Sequence, residues 1–324
     1  MLKNLKPGAP IKIAFILIDG FSLLPFIAAM EPLRMSNRLS GEELFEWGLF
    51  SERGAAVMAG NGIELKVDGS VRALHDFPNI FVTGGFEPRV KTPRWLSALL
   101  KEKAKTGAAL GAIGTGTYHL ARAGLLDHQR ATVHWEYASS FAEEFPLIHV
   151  TNSLYEVSDS RMTCSGGIAA MDMMTHLISI HVSPLLATLV ADTFIHGKVR
   201  TSRETQKALL PIDVGNVPLA LKAALSIMQR RNDSRVNVDE IASEIGVSAR
   251  HLGRLFQKHL GESPLKFANR LRMQRAQSLV RHSNLGFEEL AEMTGFTSSA
   301  AFSRAYRNFF GSNPSSQRFE ATRS

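Results

Sequence analysis

The chain has 324 residues, of which 44% are hydrophobic, with a net charge of +7 and a single cysteine. This composition excludes a fibrous or disordered protein, and the length predicts two domains. A lone cysteine excludes an intrachain disulfide, and the N-terminus carries no signal-peptide pattern, so we expect a cytoplasmic protein.

Three short apolar runs in the first half of the chain predict buried strands. They are residues 11–18, 79–83 and 108–113, and each precedes a glycine-containing turn. Apolar runs without alternation are typical of parallel strands covered on both faces. The recurrence of strand, small-residue turn and helix predicts an α/β sheet with a ligand site beyond the strand ends. The run "GTGTYH" lacks the lysine and the spacing of a phosphate loop, so we predict no nucleotide fold. We also predict no cofactor and no metal.

The most apolar stretch, residues 177–195, contains His181, Pro184 and Asp192. These residues are costly in hydrocarbon, so the stretch predicts a buried helix of a soluble protein with no membrane partner.

Two motifs carry a resemblance to a known family. They are "GAIGTGTYHLARAGLLDHQRATVHWEY" at residues 111–137 and "TCSGGIAAMDMMTHLI" at residues 163–178. Both resemble the PfpI-type, class I glutamine amidotransferase-like sensor domain found in one subfamily of AraC-type regulators. The resemblance covers most of residues 11–207. It implies a flavodoxin-like parallel sheet flanked by helices, and a sensor domain at residues 1–200.

The enzymes of that superfamily carry a nucleophilic cysteine at a sharp strand-to-helix turn. Here the matching position is Gly114, and the neighbouring Thr115 has no evident base beside it in sequence. Pro25 replaces the acidic residue usual in the first helix, whereas His134 stands where the family places a histidine. We therefore predict no catalytic residue.

Cys164 is the only thiol and the only candidate for a cysteine enzyme such as an amidase or deglycase. Its motif "TCSGG" fits a small buried residue at a close-packed turn. A reactive cysteine needs an electropositive, accessible environment, which the local sequence does not supply. The structural interpretation is therefore favoured, and the enzyme remains the alternative.

A pocket that has lost its nucleophile can still bind a ligand. The resemblance implies an effector such as a betaine, carnitine, arginine or another amino acid. An aromatic face attracts a quaternary ammonium, and Trp135 with Phe86 or Tyr137 offers one. The alternative is that Trp135 and Tyr137 only pack the core. The predicted ligand-binding residues are Gly84, Gly85, Phe86, Gly114, Thr115, His134, Trp135 and Glu136.

A linker is predicted at residues 201–217, where polar residues mix with prolines and a glycine. All the excess positive charge follows it. Residues 218–324 hold 16 Lys and Arg against 9 Asp and Glu, whereas residues 1–217 hold 21 of each. A neutral body joined to a basic domain is typical of a protein that binds a polyanion.

The basic domain contains an internal repeat. Ile241-Ala242 recurs as Leu290-Ala291 at an offset of 49, and Pro264 recurs as Pro314 at an offset of 50. Each copy predicts two helices joined by a glycine turn, the helix-turn-helix arrangement, at about residues 238–260 and 287–310. Ser248 and Thr297 are the predicted N-caps of the second helices.

The segments "GVSARHLGRLFQKHLGESP" and "GFTSSAAFSRAYRNFFGSNP" resemble the AraC/XylS family of transcription regulators. The resemblance covers residues 238–318 and implies that the two recognition helices enter successive major grooves. The residues it places against base edges are Arg250, Arg254, Ser299, Ser303 and Arg304. Lys258, Arg307 and Arg318 are predicted to bind phosphate. Arg254 and Arg304 have an alternative role as structural ion-pair partners.

The sequence thus predicts a regulator of transcription that responds to a ligand and activates a catabolic operon. Its expected partners are double-stranded DNA, a small-molecule effector, RNA polymerase and a second copy of the chain. Two alternatives remain: an enzyme with a DNA-binding tail, and an architectural DNA-binding protein without a ligand.

Overall fold

The computed structural model describes residues 1–4, 8–85, 92–206, 217–231 and 236–320. The chain divides into two compact units, residues 1–206 and 207–324. The predicted linker at residues 201–217 therefore begins too early, because residues 201–206 belong to the first unit. Residues 207–216 lie outside the described residues.

The described residues of the first unit form a sheet of seven strands in the order β10-β11-β7-β6-β1-β2-β5. Neighbouring strands are parallel except for β10 and β11, which are antiparallel. Two further pairs, β3 with β4 and β8 with β9, stand apart from this sheet. The strands are β1 (Ile11–Leu17), β2 (Phe45–Ser51), β3 (Val57–Met58), β4 (Glu64–Leu65), β5 (Gly69–Ser70), β6 (Asn79–Thr83), β7 (Ala109–Ile113), β8 (Arg130–Thr132), β9 (His149–Thr151), β10 (Tyr155–Val157) and β11 (Arg161–Cys164).

The three predicted strands are confirmed as β1, β6 and β7, which are neighbours in the middle of the sheet. Every residue of β6 and β7 is buried. Both faces of the sheet are covered, and this explains why these runs are apolar without alternation.

Helices cover both faces of the sheet. One face packs against α1 (Leu23–Ser40), α5 (Ala169–His181) and α6 (Pro184–Thr193). The other packs against α2 (Arg94–Lys105), α3 (Gly116–Arg122) and α4 (Ala138–Glu144).

The prediction of a single helix at residues 177–195 is wrong, because α5 ends at His181 and a separate helix, α6, begins at Pro184. Ser183 caps the new helix by accepting a hydrogen bond from the Leu186 amide at 3.4 Å, and Pro184 occupies its first turn. Proline suits that position because its missing N–H has no partner there anyway. Within the described part of the chain, no helix is long and apolar enough to cross a membrane.

The described residues of the second unit are helical. The helices are α7 (Leu219–Arg230), α8 (Val238–Glu244), α9 (Ala249–Leu260), α10 (Pro264–His282), α11 (Phe287–Met293), α12 (Ser299–Phe310) and α13 (Pro314–Glu320). One core joins α7, α8, α9 and the start of α10, and a second joins the rest of α10 with α11 and α12. The two predicted helix pairs are confirmed as α8 with α9 and α11 with α12.

Candidate functional site

The turn between β7 and α3 has the shape that the amidotransferase resemblance implies. Gly114 has a left-handed backbone with φ of +61°, and its amide donates to the Cys164 carbonyl at 2.9 Å. Among the described residues, no atom lies within 4 Å of the place where a Cβ of residue 114 would stand. The turn therefore keeps a left-handed geometry that glycine adopts without strain, and the described residues leave space above it.

Gly84 and Gly85 follow β6 and pack tightly against neighbouring turns. A Cβ on Gly84 would clash with the Gly116 backbone nitrogen, and one on Gly85 would clash with the Gly20 carbonyl. Their lack of a side chain is thus explained by close backbone packing. A ligand contact at either residue stays a prediction and involves backbone atoms only.

Thr115 is buried, and its hydroxyl donates a hydrogen bond to the Gly85 carbonyl. The hydroxyl therefore serves to join two turns, which makes it a poor ligand contact and a poor nucleophile. Phe86, the remaining predicted residue of this loop, lies outside the described residues.

His134, Trp135 and Glu136 form a partly exposed group after β8. Nδ1 of His134 lies 3.5 Å from a carboxylate oxygen of Glu136, and the rings of His134 and Trp135 are 5.3 Å apart. Burial lowers the pKa of His134, although Glu136 acts in the opposite direction, so neutral imidazole is favoured.

The aromatic residues of this group differ in exposure. Trp135 is 38% exposed, whereas Tyr137 is 4% exposed. Packing in the core therefore accounts for Tyr137 and leaves Trp135 accessible.

A hydrogen bond fixes this group relative to the Gly114 turn. The Thr117 hydroxyl, in the first turn of α3, donates to the Thr132 carbonyl at the end of β8 at 3.2 Å. Two of the predicted groups of ligand-binding residues, Gly114 with Thr115 and His134 to Glu136, are thus linked through α3 and β8.

Cys164 lies at the end of β11 and is 0% exposed. Desolvation raises the pKa of its thiol to about 12, although the Gly166 amide, 3.4 Å from the sulfur, opposes the shift. A nucleophilic cysteine needs the thiolate and access to substrate, and this cysteine has neither. The first turn of α1, which contains Pro25, has no acidic residue.

The first recognition helix, α9, presents a basic face. Ser248 caps it as predicted by accepting a hydrogen bond from the His251 amide at 3.1 Å. Arg250, Arg254 and Lys258 are exposed and make no ion pair with any described residue. Arg254 is therefore available to DNA, and its alternative role as a structural ion-pair partner gains no support.

The second recognition helix, α12, is capped by Ser298, whose hydroxyl accepts from the Ala301 amide at 3.2 Å. The prediction of Thr297 as the cap is wrong, because the extra residue of the second copy lies between the turn and the helix. Ser299 and Ser303 are half-buried on this helix. Arg304 and Arg307 are exposed and, like Arg254, have no ion-pair partner in the described ranges.

Arg318, which the sequence predicts to bind phosphate, is half-buried against the fold. Its Nε donates to the Val280 carbonyl at 3.2 Å, and its guanidinium lies 4.4 Å from the ring centroid of Phe287. Burial lowers the pKa of this arginine. The side chain thus joins the end of α10 to the start of α11 and serves the fold.

Sequence reasoning missed a buried ion cluster in the first unit. Asp172, on α5, is fully buried and contacts His196 and Arg200. The available signal was an acidic residue inside an apolar helix, because a buried carboxylate requires a partner. The partners lie more than twenty residues away in sequence, so the pattern alone does not identify them.

Both units of the chain resemble known proteins. The sequence pattern of the DJ-1/PfpI family matches residues 11–180, and that of a helix-turn-helix domain matches residues 241–318. The HTH-type transcriptional regulator CdhR of Pseudomonas aeruginosa is 37% identical over 305 residues, covering 94% of this chain and 90% of that protein. GbdR, a regulator from the same organism, is 35% identical over 309 residues, covering 95% and 84%. The crystal structure of an AraC family transcriptional regulator from Pseudomonas putida aligns with a TM-score of 0.54 at 30% identity, covering 57% of this chain and 100% of that one.

A DJ-1/PfpI-like α/β unit followed by two helix-turn-helix pairs defines a DNA-binding regulator of transcription. The chain belongs to the AraC-type transcriptional regulators that carry a DJ-1/PfpI domain. The fold class and the DNA-binding function predicted from the sequence are thereby confirmed.

Proposed function

We propose that the DJ-1/PfpI-like unit is a catalytically inactive sensor of a small nitrogenous metabolite, and that the protein activates a catabolic operon when the metabolite binds. The observation that carries this proposal is the Gly114 turn. It keeps the left-handed geometry of a nucleophile turn, provides no nucleophile and has open space above the glycine as far as the described residues extend.

The enzyme alternative requires Cys164 as the nucleophile. Its full burial and its raised pKa oppose that role, and Thr115 has its hydroxyl committed to the Gly85 carbonyl. An amidase or deglycase activity that disappears in Cys164→Ser would restore this alternative.

The chemistry around His134 favours a cationic ligand. Trp135 exposes an aromatic ring, and the next residue, Glu136, carries a carboxylate. Aromatic faces and carboxylates together bind quaternary ammonium and guanidinium groups. Betaines, carnitine, arginine and other amino acids or amines are therefore the proposed effector class.

For DNA recognition, we propose that Arg250 and Arg254 of α9 read bases in one major groove, and that Ser299, Ser303 and Arg304 of α12 read the next. Exposed Lys258 and Arg307 bind phosphate and set the register. For Arg318, whose guanidinium contacts Val280 and Phe287, we propose a role in the fold in place of the predicted phosphate contact.

The proposed partners are double-stranded DNA, the effector, RNA polymerase and a second copy of the chain. A homodimer places paired DNA-binding units on repeated half-sites, where a high effective concentration strengthens binding. This role places the protein in the cytoplasm.

The test is a thermal-shift screen of the full chain against betaines, carnitine, amino acids and amines, because a ligand that binds the native state raises its apparent stability. A true effector also changes the affinity for the DNA upstream of the protein's own gene. Trp135→Ala should abolish the shift, whereas Leu185→Ala, an exposed residue of the same unit, should retain it. The absence of any shift, with DNA binding intact, would favour the architectural alternative.

A further inference from the structure

The last described residues of the first unit, residues 196–206, are fixed at both ends. We call them the exit segment, since the chain continues from them toward the DNA-binding unit. Each end is hydrogen-bonded to an element that borders the proposed ligand pocket.

The first attachment is the buried carboxylate of Asp172. It accepts hydrogen bonds from the Arg200 amide at 2.8 Å and from the Arg200 guanidinium at 2.6 and 3.0 Å, and it lies 2.8 Å from Nε2 of His196. Asp172 stands in the first turn of α5. That helix follows Gly166, where an added Cβ would lie 3.4 Å from the Gly114 Cα. The start of the exit segment is thus anchored to the helix that follows the turn packed against Gly114.

The second attachment is the side chain of Gln206. Its Nε2 lies 2.8 Å from the Thr132 hydroxyl, 2.9 Å from the Val133 carbonyl and 2.9 Å from the Ser153 carbonyl, each of which accepts from it. Its backbone amide also donates to the Asn152 carbonyl at 3.2 Å. Val133 immediately precedes His134, so the end of the exit segment holds the pocket wall that carries His134 and Trp135.

The two attachments differ in what they tolerate. Asp172 is a buried charge, and removal of its partner would leave it uncompensated and destabilise the unit as a whole. Gln206 is a neutral, half-buried amide that bonds to the Thr132 hydroxyl and the Val133 carbonyl of the wall. A displacement of the wall therefore changes the bonds of Gln206 first.

We propose that Gln206 is a positioning residue that couples the ligand pocket to DNA binding, by joining the wall at residues 132–136 to the segment that leads to the second unit. The inference rests on the proposed function in taking this wall as part of the ligand site. Coupling requires an element that both ligands bias, and it acts in both directions. DNA binding is therefore expected to alter the wall even without effector.

The test uses hydrogen–deuterium exchange of the full chain, with and without a duplex from upstream of the protein's own gene. In the wild type, DNA should change the exchange of peptides that cover residues 130–137. Gln206→Ala should lose this DNA-dependent difference. Arg203→Ala is the matched control, since Arg203 is an exposed residue of the same segment, and it should retain the difference.

A merely structural role gives another result. It would raise exchange equally with and without DNA, and the difference would remain. Gln206→Met keeps the length of the side chain and removes the donor, so it controls for a folding defect caused by truncation. It should behave like Gln206→Ala. The proposal is overturned if DNA causes no change in the wild-type wall, or if either variant retains the change.

The effector is tested separately, with glycine betaine, carnitine and arginine as the probes. If none shifts the melting temperature while the DNA-dependent exchange difference is present, the proposed ligand class fails and the Gln206 coupling stands. For a probe that binds, the ligand-dependent change in DNA affinity, about 5- to 150-fold in typical allosteric proteins, should fall close to onefold in Gln206→Ala while ligand binding persists. Retention of the full change would refute the coupling.

Discussion

The two helix-turn-helix pairs share a backbone and differ in their cores. Gly246 and Gly295 turn the chain with φ of +71° and +69°, and Gly261 and Gly311 end the recognition helices with left-handed geometry. Only glycine adopts such angles routinely without strain. The four duplicated glycines thus fix the direction of the chain in both pairs.

Inside the first pair, Phe256 packs edge-to-face on Phe267 with ring centroids 5.5 Å apart. The matching residues of the second pair are Tyr306 and Gln317, and the tyrosine hydroxyl donates to the glutamine Oε1 at 2.8 Å. Gln317 in turn donates to the Ser312 hydroxyl at 2.8 Å. A hydrogen-bonded pair replaces an aromatic pair at equivalent positions, since buried polar groups are tolerated when they are satisfied.

The exposed faces differ as well. The α9 face carries Arg250, Arg254 and Lys258, whereas the α12 face begins with Ser299 and Ser303 and carries its cations later in the helix. Arginine discriminates guanine by two parallel hydrogen bonds, and serine reads bases less selectively. We therefore expect the first pair to contribute more to sequence preference.

The largest effect is expected for Phe256→Ala, which removes an aromatic ring that is fully buried between α9 and α10. Such truncations cost about 3–5 kcal/mol of unfolding free energy because they leave a cavity. At the matching position of the second pair, the smaller change Tyr306→Phe keeps the ring and removes one hydrogen bond. It should cost about 1 kcal/mol. The urea dependence of amide exchange in residues 249–260 and 299–310 measures the two pairs separately.

His251→Ala, at an exposed site of α9, is the control and should leave exchange unchanged. Equal costs for Phe256→Ala and Tyr306→Phe would show that the Tyr306 hydroxyl contributes as much to the second core as the whole Phe256 ring contributes to the first.

Sequence patterns predicted the local features of both units because these features depend on neighbouring residues. The apolar runs of β1, β6 and β7, the glycine turns and the Ser248 cap each follow from a few adjacent positions. The cap of α12 was misplaced by one residue, because the repeat comparison puts the extra residue at the start of the helix, after Thr297, whereas the structure has it before the Ser298 cap.

Features that depend on distant residues were not predicted. The Asp172 cluster, the Gln206 bonds and the role of Arg318 each join positions more than twenty residues apart. The sequence does not distinguish an arginine that faces solvent from one that packs within the fold. Only the fold shows that Arg318 meets the Val280 carbonyl.

Arg250→Ala should separate base reading from phosphate binding within α9. If Arg250 reads a base, specific binding weakens by about 1–3 kcal/mol, or about 5- to 150-fold, and sequence choice relaxes. Lys258→Ala, an exposed cation of the same helix, should weaken specific and random DNA alike. Fluorescence anisotropy with both duplexes measures the difference, and an equal loss on both duplexes for Arg250→Ala would remove Arg250 from the base-reading set.

The smallest effect is expected for Arg318→Ala, which tests whether the second pair uses this cation for the fold or for DNA. Loss of its bond to Val280 and of its stacking on Phe287 should lower the stability of the second pair by about 1–2 kcal/mol, since the side chain is only partly buried. The dependence of DNA affinity on salt should stay the same, because no phosphate contact is lost. Arg307→Ala should instead leave stability unchanged and reduce the slope of log affinity against log salt by about one. A reduced slope for Arg318→Ala at unchanged stability would return Arg318 to the DNA surface and make the two pairs more alike than their cores indicate.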